Sequence, residues 1–185
     1  LESTVAQRTQ ELVEQHKALD ASHQVVVGSV NYASRLQRGQ LPRPIRLEDR
    51  FVSFSALWEP RDTIGGDVYW LSSSEHAGSF AVAVADCTGH GVPGAMLSLL
   101  VSNSLERIYA HDSAQDPAAA LLSLDHYVRS GLNQDRPDSE SDDGCDAVLL
   151  QIDRERKKVA FAGAKLGLFH IRGSGELTRH GGARC

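Results

Sequence analysis

An α+β domain preceded by one long helix is predicted by three observations. From Leu1 to about Arg38 only Gly28 interrupts a run of good helix formers, with no proline. Short apolar segments with a two-residue period follow, and two longer segments with helical spacing come after them. Strand-like segments then return, an order that indicates a layered α+β domain. With 185 residues, 41% of them hydrophobic, the chain can bury one sizeable core, so a single domain with an appendage is expected.

In the first helix Val5, Leu12, Leu19, Val26 and Ala33 recur every seven residues, as one core position of a coiled coil would. The companion positions Thr9, His16, His23 and Val30 are mostly polar. Either the helix lies amphipathically on its own domain or it pairs with a second copy of itself. Leu41-Pro42-Arg43-Pro44 ends it, because proline removes a donor and displaces the preceding residue from helical geometry. The expected boundaries are therefore a helical, coiled-coil linker at 1–40 and a globular domain at 41–185.

Phe51 to Trp58 alternates and is read as a strand. Val68 to Leu71 and Ser79 to Ala85 read as a hairpin around Ser72-Ser73-Ser74-Glu75. A helix with Pro93 in its first turn runs to about Ala110, and another runs from near Pro117 to Leu132. Asn133 to Gly144 is a polar loop. Ala147 to Ile152, Val159 to Ala162 and Leu166 to Ile171 are expected strands.

Composition excludes several function classes. The net charge of −5 and the lack of any basic run beyond Arg154-Glu155-Arg156-Lys157-Lys158 argue against nucleic-acid binding. Cys87, Cys145 and Cys185 form no CxxC motif and are odd in number. That argues against a disulfide framework or a zinc site, and reduced thiols are expected. No apolar run approaches the ~20 residues of a membrane span.

Two motifs carry chemistry. In Pro60-Arg61-Asp62-Thr63-Ile64-Gly65-Gly66-Asp67, paired glycines allow close backbone approach and a carboxylate follows. By itself this motif is better read as a surface aspartate after a glycine turn. In Asp86-Cys87-Thr88-Gly89-His90-Gly91-Val92-Pro93-Gly94, an apolar strand ends in a carboxylate, which needs a cation or a ring of donors if buried. Capping of the next helix is the competing role for Asp86, although Pro93 is rather distant for it. Asp67 and Asp86 on neighbouring strand ends would suit hard divalent cations such as Mg²⁺, which prefer oxygen ligands. Such ions support hydrolysis by an activated water. Arg61 is a candidate for bidentate phosphate binding, with an exposed loop arginine as the plainer alternative.

Gln37 to Pro42 (QRGQLP), Trp58-Glu59-Pro60, Ile64 to Asp67 (IGGD), Val84 to Met96 (VADCTGHGVPGAM) and Phe161 to Phe169 (FAGAKLGLF) together resemble the PP2C-like serine phosphatases of the bacterial SpoIIE and RsbU type. Gly66-Asp67-Val68-Tyr69-Trp70 and Asp142 to Ala147 (DDGCDA) resemble the SiaA-like subgroup, and Arg8 to Leu12 (RTQEL) resembles the linker after a HAMP or other sensor module. The resemblance implies an α-β-β-α sandwich, incomplete at the C-terminus, with two Mg²⁺ or Mn²⁺ ions. The implied activity is dephosphorylation of phosphoserine on a small antagonist protein of STAS-like type in a partner-switching pathway. It further implies that Asp86 bridges the ions, Asp67 binds one directly or through water, and the Cys87 backbone carbonyl is a ligand, with Asp146 a third carboxylate. His90 stands four residues after Asp86, where related DGHGG sequences place the histidine two residues on, so it is either a general acid or a loop organiser. The family's Thr/Ser-Asp-Gly and Asp-Asp-Met-Thr-like motifs, whose aspartates complete the second metal site, do not occur in this sequence. The expected setting is the cytoplasmic part of an inner-membrane sensor. The contrasting expectations are a dimerising module that binds a partner without hydrolysis, and a different hydrolase built on His90 and Asp86. The latter lacks any Gly-x-Ser-x-Gly or paired metal histidines.

Overall fold

The structure is a computed structural model that describes residues 2–43, 50–72, 78–110, 116–139 and 141–183, with side chains from residue 5 onward. Helix α1 spans Glu2–Gln40, 39 residues or about 58 Å of helix. It ends where Pro42 predicts, with the Leu41 N–H closing a turn on the Arg38 carbonyl. Strands β1 (Val68–Leu71) and β2 (Ser79–Cys87) are followed by helices α2 (Gly91–Tyr109) and α3 (Pro117–Gly131). Strands β3 (Cys145–Asp153), β4 (Lys158–Ala164), β5 (Leu168–Ile171) and β6 (Leu177–His180) complete the order. Helix α3 starts as its sequence dictates, with Asp116 accepting from the Ala119 N–H at 3.1 Å and Pro117 in the first turn.

β1 to β4 form one antiparallel sheet in sequence order, and β5 and β6 form a second, two-stranded one. Because side chains alternate across a strand, β2 sends Ala81, Ala83, Ala85 and Cys87 to one face. These residues are small and buried, which lets α2 and α3 lie close on that face. Val101, Leu105, Leu124 and Leu149 fill the space between, and Trp70 packs on Tyr109 with ring centroids 5.4 Å apart. The opposite face carries Val82, Val84 and, at the strand end, Asp86, the last two exposed. The pleat therefore separates the core from the carboxylate within one strand.

The expected strand over Phe51 to Trp58 is corrected by the structure: this segment is irregular and pairs with no strand among the described residues. Its alternation is not a buried face, since Val52 and Leu57 are fully or nearly fully exposed. Phe51 and Phe54, three residues apart, anchor the segment instead, Phe51 against Phe80 at 5.4 Å and Phe54 against Tyr69 at 6.2 Å. β6 is a strand that the sequence pattern did not single out. Of the turn expected at Ser72 to Glu75, only Ser72 lies within the described residues. No described helix is long and apolar enough to cross a membrane.

Candidate metal centre

Asp86 stands at the end of β2, and the sheet register sets Asp146 of β3 directly opposite it. Val68 of β1 pairs with Ala85, so Asp67, one residue before β1, flanks Asp86 from the other side. Three carboxylates, two on strands and one just before a strand, thus stand at the same sheet end. Although Asp86 is open to solvent, partial burial of its carboxyl group pushes its pKa above the ordinary value. The charge of Asp67, a hydrogen bond to Asp67 and the charge of Asp146 push it further in the same direction. Asp86 does not cap α2: the residue at that position is His90, which makes no capping side-chain bond.

The loop bearing Asp67 is locked to the loop after Asp86 through glycine. A Cβ on Gly66 would stand 2.7 Å from the Cys87 carbonyl oxygen and 2.9 Å from that of Gly89. Only a residue without a side chain permits this approach. Gly89, at φ +87°, takes the left-handed conformation that turns the chain back toward Gly66 and Gly94. The Cys87 carbonyl, the expected backbone ligand, lies at this junction. The Asp67 carbonyl is held by the Trp58 indole N–H at 2.9 Å, and the Arg38 guanidinium covers that ring at 5.3 Å.

The other expected residues fall as follows. Arg61 is exposed and makes no hydrogen bond or ion pair among the described residues. Its neighbour Asp62 is the one engaged: its Oδ2 lies 2.8 Å from His90 Nδ1, tying the two motif loops together. Asp146 is drawn to Lys165, with Oδ1 3.1 Å from Nζ, and Lys165 adopts a positive φ of 59°. Among the described residues no group of three or more His, Cys, Asp or Glu side chains is gathered closely enough to hold a metal ion. Of the two neighbouring carboxylates, Asp67 acts on Asp86 more strongly than Asp146 does. Two like charges set side by side by the register repel unless a proton or a cation lies between them, and an all-oxygen donor set suits Mg²⁺ or Mn²⁺. The residues present therefore fit one hard cation.

Sequence reasoning missed the residues that fasten α1 to this centre. Gln37, 3% exposed near the end of a mostly solvated helix, donates from Nε2 to the Gly65 carbonyl at 2.6 Å and to Ser98 Oγ at 2.9 Å. Its Oε1 accepts from the Gly65 N–H at 3.2 Å. Ser34 donates to the Thr63 carbonyl at 3.0 Å. The signal available was slight: polar residues in the last turns of a helix whose apolar positions point elsewhere.

Residues 76–180 match the family described as Stage II sporulation protein E (SpoIIE). No curated protein matches the sequence. Among solved structures the chain is similar to the SiaA-PP2C domain of Pseudomonas aeruginosa, at 34% identity and a TM-score of 0.71, over 89% of this chain and 63% of that one. It is also similar to the PP2C phosphatase domain, with a fragment of the regulatory domain, of the cell fate determinant SpoIIE from Bacillus subtilis. That likeness is 18% identity and a TM-score of 0.48, over 65% of this chain and 33% of the other. The chain thus spans less than two thirds of the SiaA domain, and its long helix and helix-covered antiparallel sheet form part of a PP2C-like fold. With the family match over more than half its length and the SiaA likeness over nearly all of it, the chain belongs to the SpoIIE family of PP2C-like phosphatases.

Proposed function

We propose that this chain carries the first part of the centre of a Mg²⁺- or Mn²⁺-dependent protein-serine phosphatase, with Asp67 and Asp86 as its anchoring carboxylates. The single observation behind this is the strand register that sets Asp67 beside Asp86 at the end of an otherwise well-packed strand. Asp146, opposite Asp86, is the third carboxylate proposed for the centre once it leaves Lys165. Bound there, a divalent ion would supply a water of lowered pKa and charge on the phosphoryl oxygens, the second of the two ions being proposed for the complete domain. The chain's own residues do the positioning. Gly66 sets the two loops in contact, Trp58 and Gln37 hold the loop of Asp67, and the Asp62–His90 pair closes the rim of the site. Arg61, exposed beside that rim, is the proposed phosphate-binding residue, and the Cys87 carbonyl is a proposed ligand.

The proposed substrate is a small phosphoserine protein of the STAS-like, anti-sigma-factor-antagonist type, within a partner-switching pathway of the cytoplasm. Phosphate release from such phosphoproteins with Mn²⁺, and none with a chelator, is the expected result. A second reading, a partner-binding module without turnover, is favoured by the Asp146–Lys165 ion pair. Retained partner binding with no release under any divalent ion would establish it instead.

Residues 1–40 are proposed as the linker that follows a sensor module, HAMP-like and membrane-bound. Val5, Leu12, Leu19 and Val26 are each more than half exposed along one stripe of α1. Hydrophobic seams of this kind are buried by a second helix, and a parallel homodimer through α1 is the proposed partner. Light scattering is expected to give a dimer that Leu12→Asn with Leu19→Asn converts to a monomer. A monomer at high concentration for the unaltered chain would reject the proposal.

A further inference from the structure

Cys87 and Cys145 occupy directly opposite positions on β2 and β3, on the face away from the carboxylates, and both are free thiols. The ladder fixes which kind of opposition this is. The Thr88 N–H donates to the Gly144 carbonyl at 2.9 Å, and the Gly144 N–H donates to Thr88 Oγ1 at 3.0 Å. Thr88 and Gly144 thus stand at a hydrogen-bonded position, and alternation makes the adjacent Cys87–Cys145 position a non-hydrogen-bonded one. Antiparallel strands bring Cα atoms to about 4.5 Å at such positions, within the ~4.4–6.8 Å that a disulfide spans. The neighbouring Cys145 thiol and burial push the Cys87 thiol up, while the Cys87 thiol draws the Cys145 one down. Cys87 is 3% exposed, whereas Cys145 is half-buried and offers the approach from solvent.

We propose that Cys87 and Cys145 form an oxidisable pair that a hydroperoxide closes to a disulfide, and that closure weakens the carboxylate centre on the other face of the same strands. In the first step the Cys145 sulfur attacks the peroxide. An S–O bond forms as the O–O bond breaks, and the rest of the peroxide leaves as an alcohol, or as water from hydrogen peroxide. In the second step the Cys87 sulfur displaces the hydroxyl group, the S–S bond forms as the S–O bond breaks, and water leaves. Two thiols and one peroxide thus give one disulfide, one alcohol and one water, with the sulfurs oxidised and the peroxide reduced.

The consequence for the centre follows from the pleat. Asp86 and Asp146 are the next residues along each strand, opposite one another and pointing the other way. A disulfide draws two Cβ atoms to about 3.8 Å, from the roughly 4.5–5.5 Å of a cross-strand pair. Closing the helix-facing side of the strand ends splays the carboxylate side. This second half rests on the proposed role of Asp67, Asp86 and Asp146.

The test uses the chain with Cys185→Ser, which removes the remaining cysteine. After hydrogen peroxide, peptide mapping should recover a linked pair containing Cys87 and Cys145, cleaved by dithiothreitol. Mn²⁺ affinity by calorimetry should fall about tenfold on oxidation, the scale of a disturbed supporting shell, and recover on reduction. Cys145→Ser should show neither effect. Thiols that still label after peroxide, or that become sulfinic acids without a link, would overturn the pair. A complete link with unchanged Mn²⁺ affinity, or a peroxide-induced loss that persists in Cys145→Ser, would overturn the coupling. A reduced protein that binds no Mn²⁺ would instead sink the metal-centre assignment, with the peptide map still deciding the cysteine pair.

Discussion

Asp86→Asn is expected to lower metal-dependent phosphate release by about 10³-fold or more, while raising the thermal midpoint of the metal-free chain at neutral pH. The first effect follows from losing an anionic ligand from the proposed site, where a bound ion would supply several kcal/mol of transition-state stabilisation. The second comes from the raised pKa of Asp86, caused by partial burial, the charge and hydrogen bond of Asp67, and the charge of Asp146. For a carboxyl group raised above its unfolded value, near 3.8, the folded state holds the proton more tightly. Its contribution is fully present below the unfolded pKa and is lost as pH rises through the folded one. At neutral pH the unaltered, metal-free chain therefore carries the repulsion that the asparagine variant lacks. The gap in midpoint should shrink toward zero below about pH 4, and Mn²⁺ should reverse its sign by stabilising only the unaltered chain. Scanning calorimetry against pH, with and without Mn²⁺, reads all three. Equal midpoints at neutral pH together with undiminished turnover would remove Asp86 from the centre.

Why Asp86 was legible and its surroundings were not has a physical explanation. Ser79 to Ala85 is apolar at nearly every position, so it had to be a strand buried on at least one face, and a carboxylate at its end is anomalous on sequence alone. The convergence of Asp67 and Asp146 on that end depends on strand order and register, which hydrophobic patterning does not specify. The Asp62–His90 bond joins two loops across a fold whose topology brings them together, and nothing local in either loop announces it. Phe51 to Trp58 shows the opposite failure. Its alternation satisfied the strand pattern, yet two aromatic anchors and one indole hydrogen bond, from Trp58 to the Asp67 carbonyl, hold the segment without a ladder. In α1 the heptad residues face solvent while the docking falls to Ser34, Gln37 and Arg38. A search for apolar seams therefore finds the helix's free face and overlooks its attached end.

That attachment yields the second large effect, from Gln37→Leu. Leucine has similar bulk and is tolerated in a helix, so α1 itself should persist. It cannot replace the amide, and both the N–H and the carbonyl of Gly65 would lose the partner that Gln37 provides. Each buried polar group left without a partner costs about 1–3 kcal/mol, so a destabilisation of about 2–4 kcal/mol is expected. Ser98 suffers less, because its hydroxyl also donates to the Ala95 carbonyl at 2.9 Å. The loss should be local first. Residues 64–67 would loosen from α1, with Thr63 still held by Ser34, while the core of β2, β3, α2 and α3 stays packed, and Asp67 would lose one of the supports that hold its loop. Hydrogen exchange should therefore accelerate at Ile64 to Asp67, and Mn²⁺ affinity and phosphate release should fall together. Exchange through Val5 to Val26, already solvated along the helix, should be unchanged. Val26→Asn is the matched control: it alters the exposed stripe of the same helix and should leave exchange at Gly65 untouched. If Gln37→Leu left Gly65 exchange and turnover at their original values, α1 would be a passive extension, and control of the carboxylate loop by the helix would be excluded.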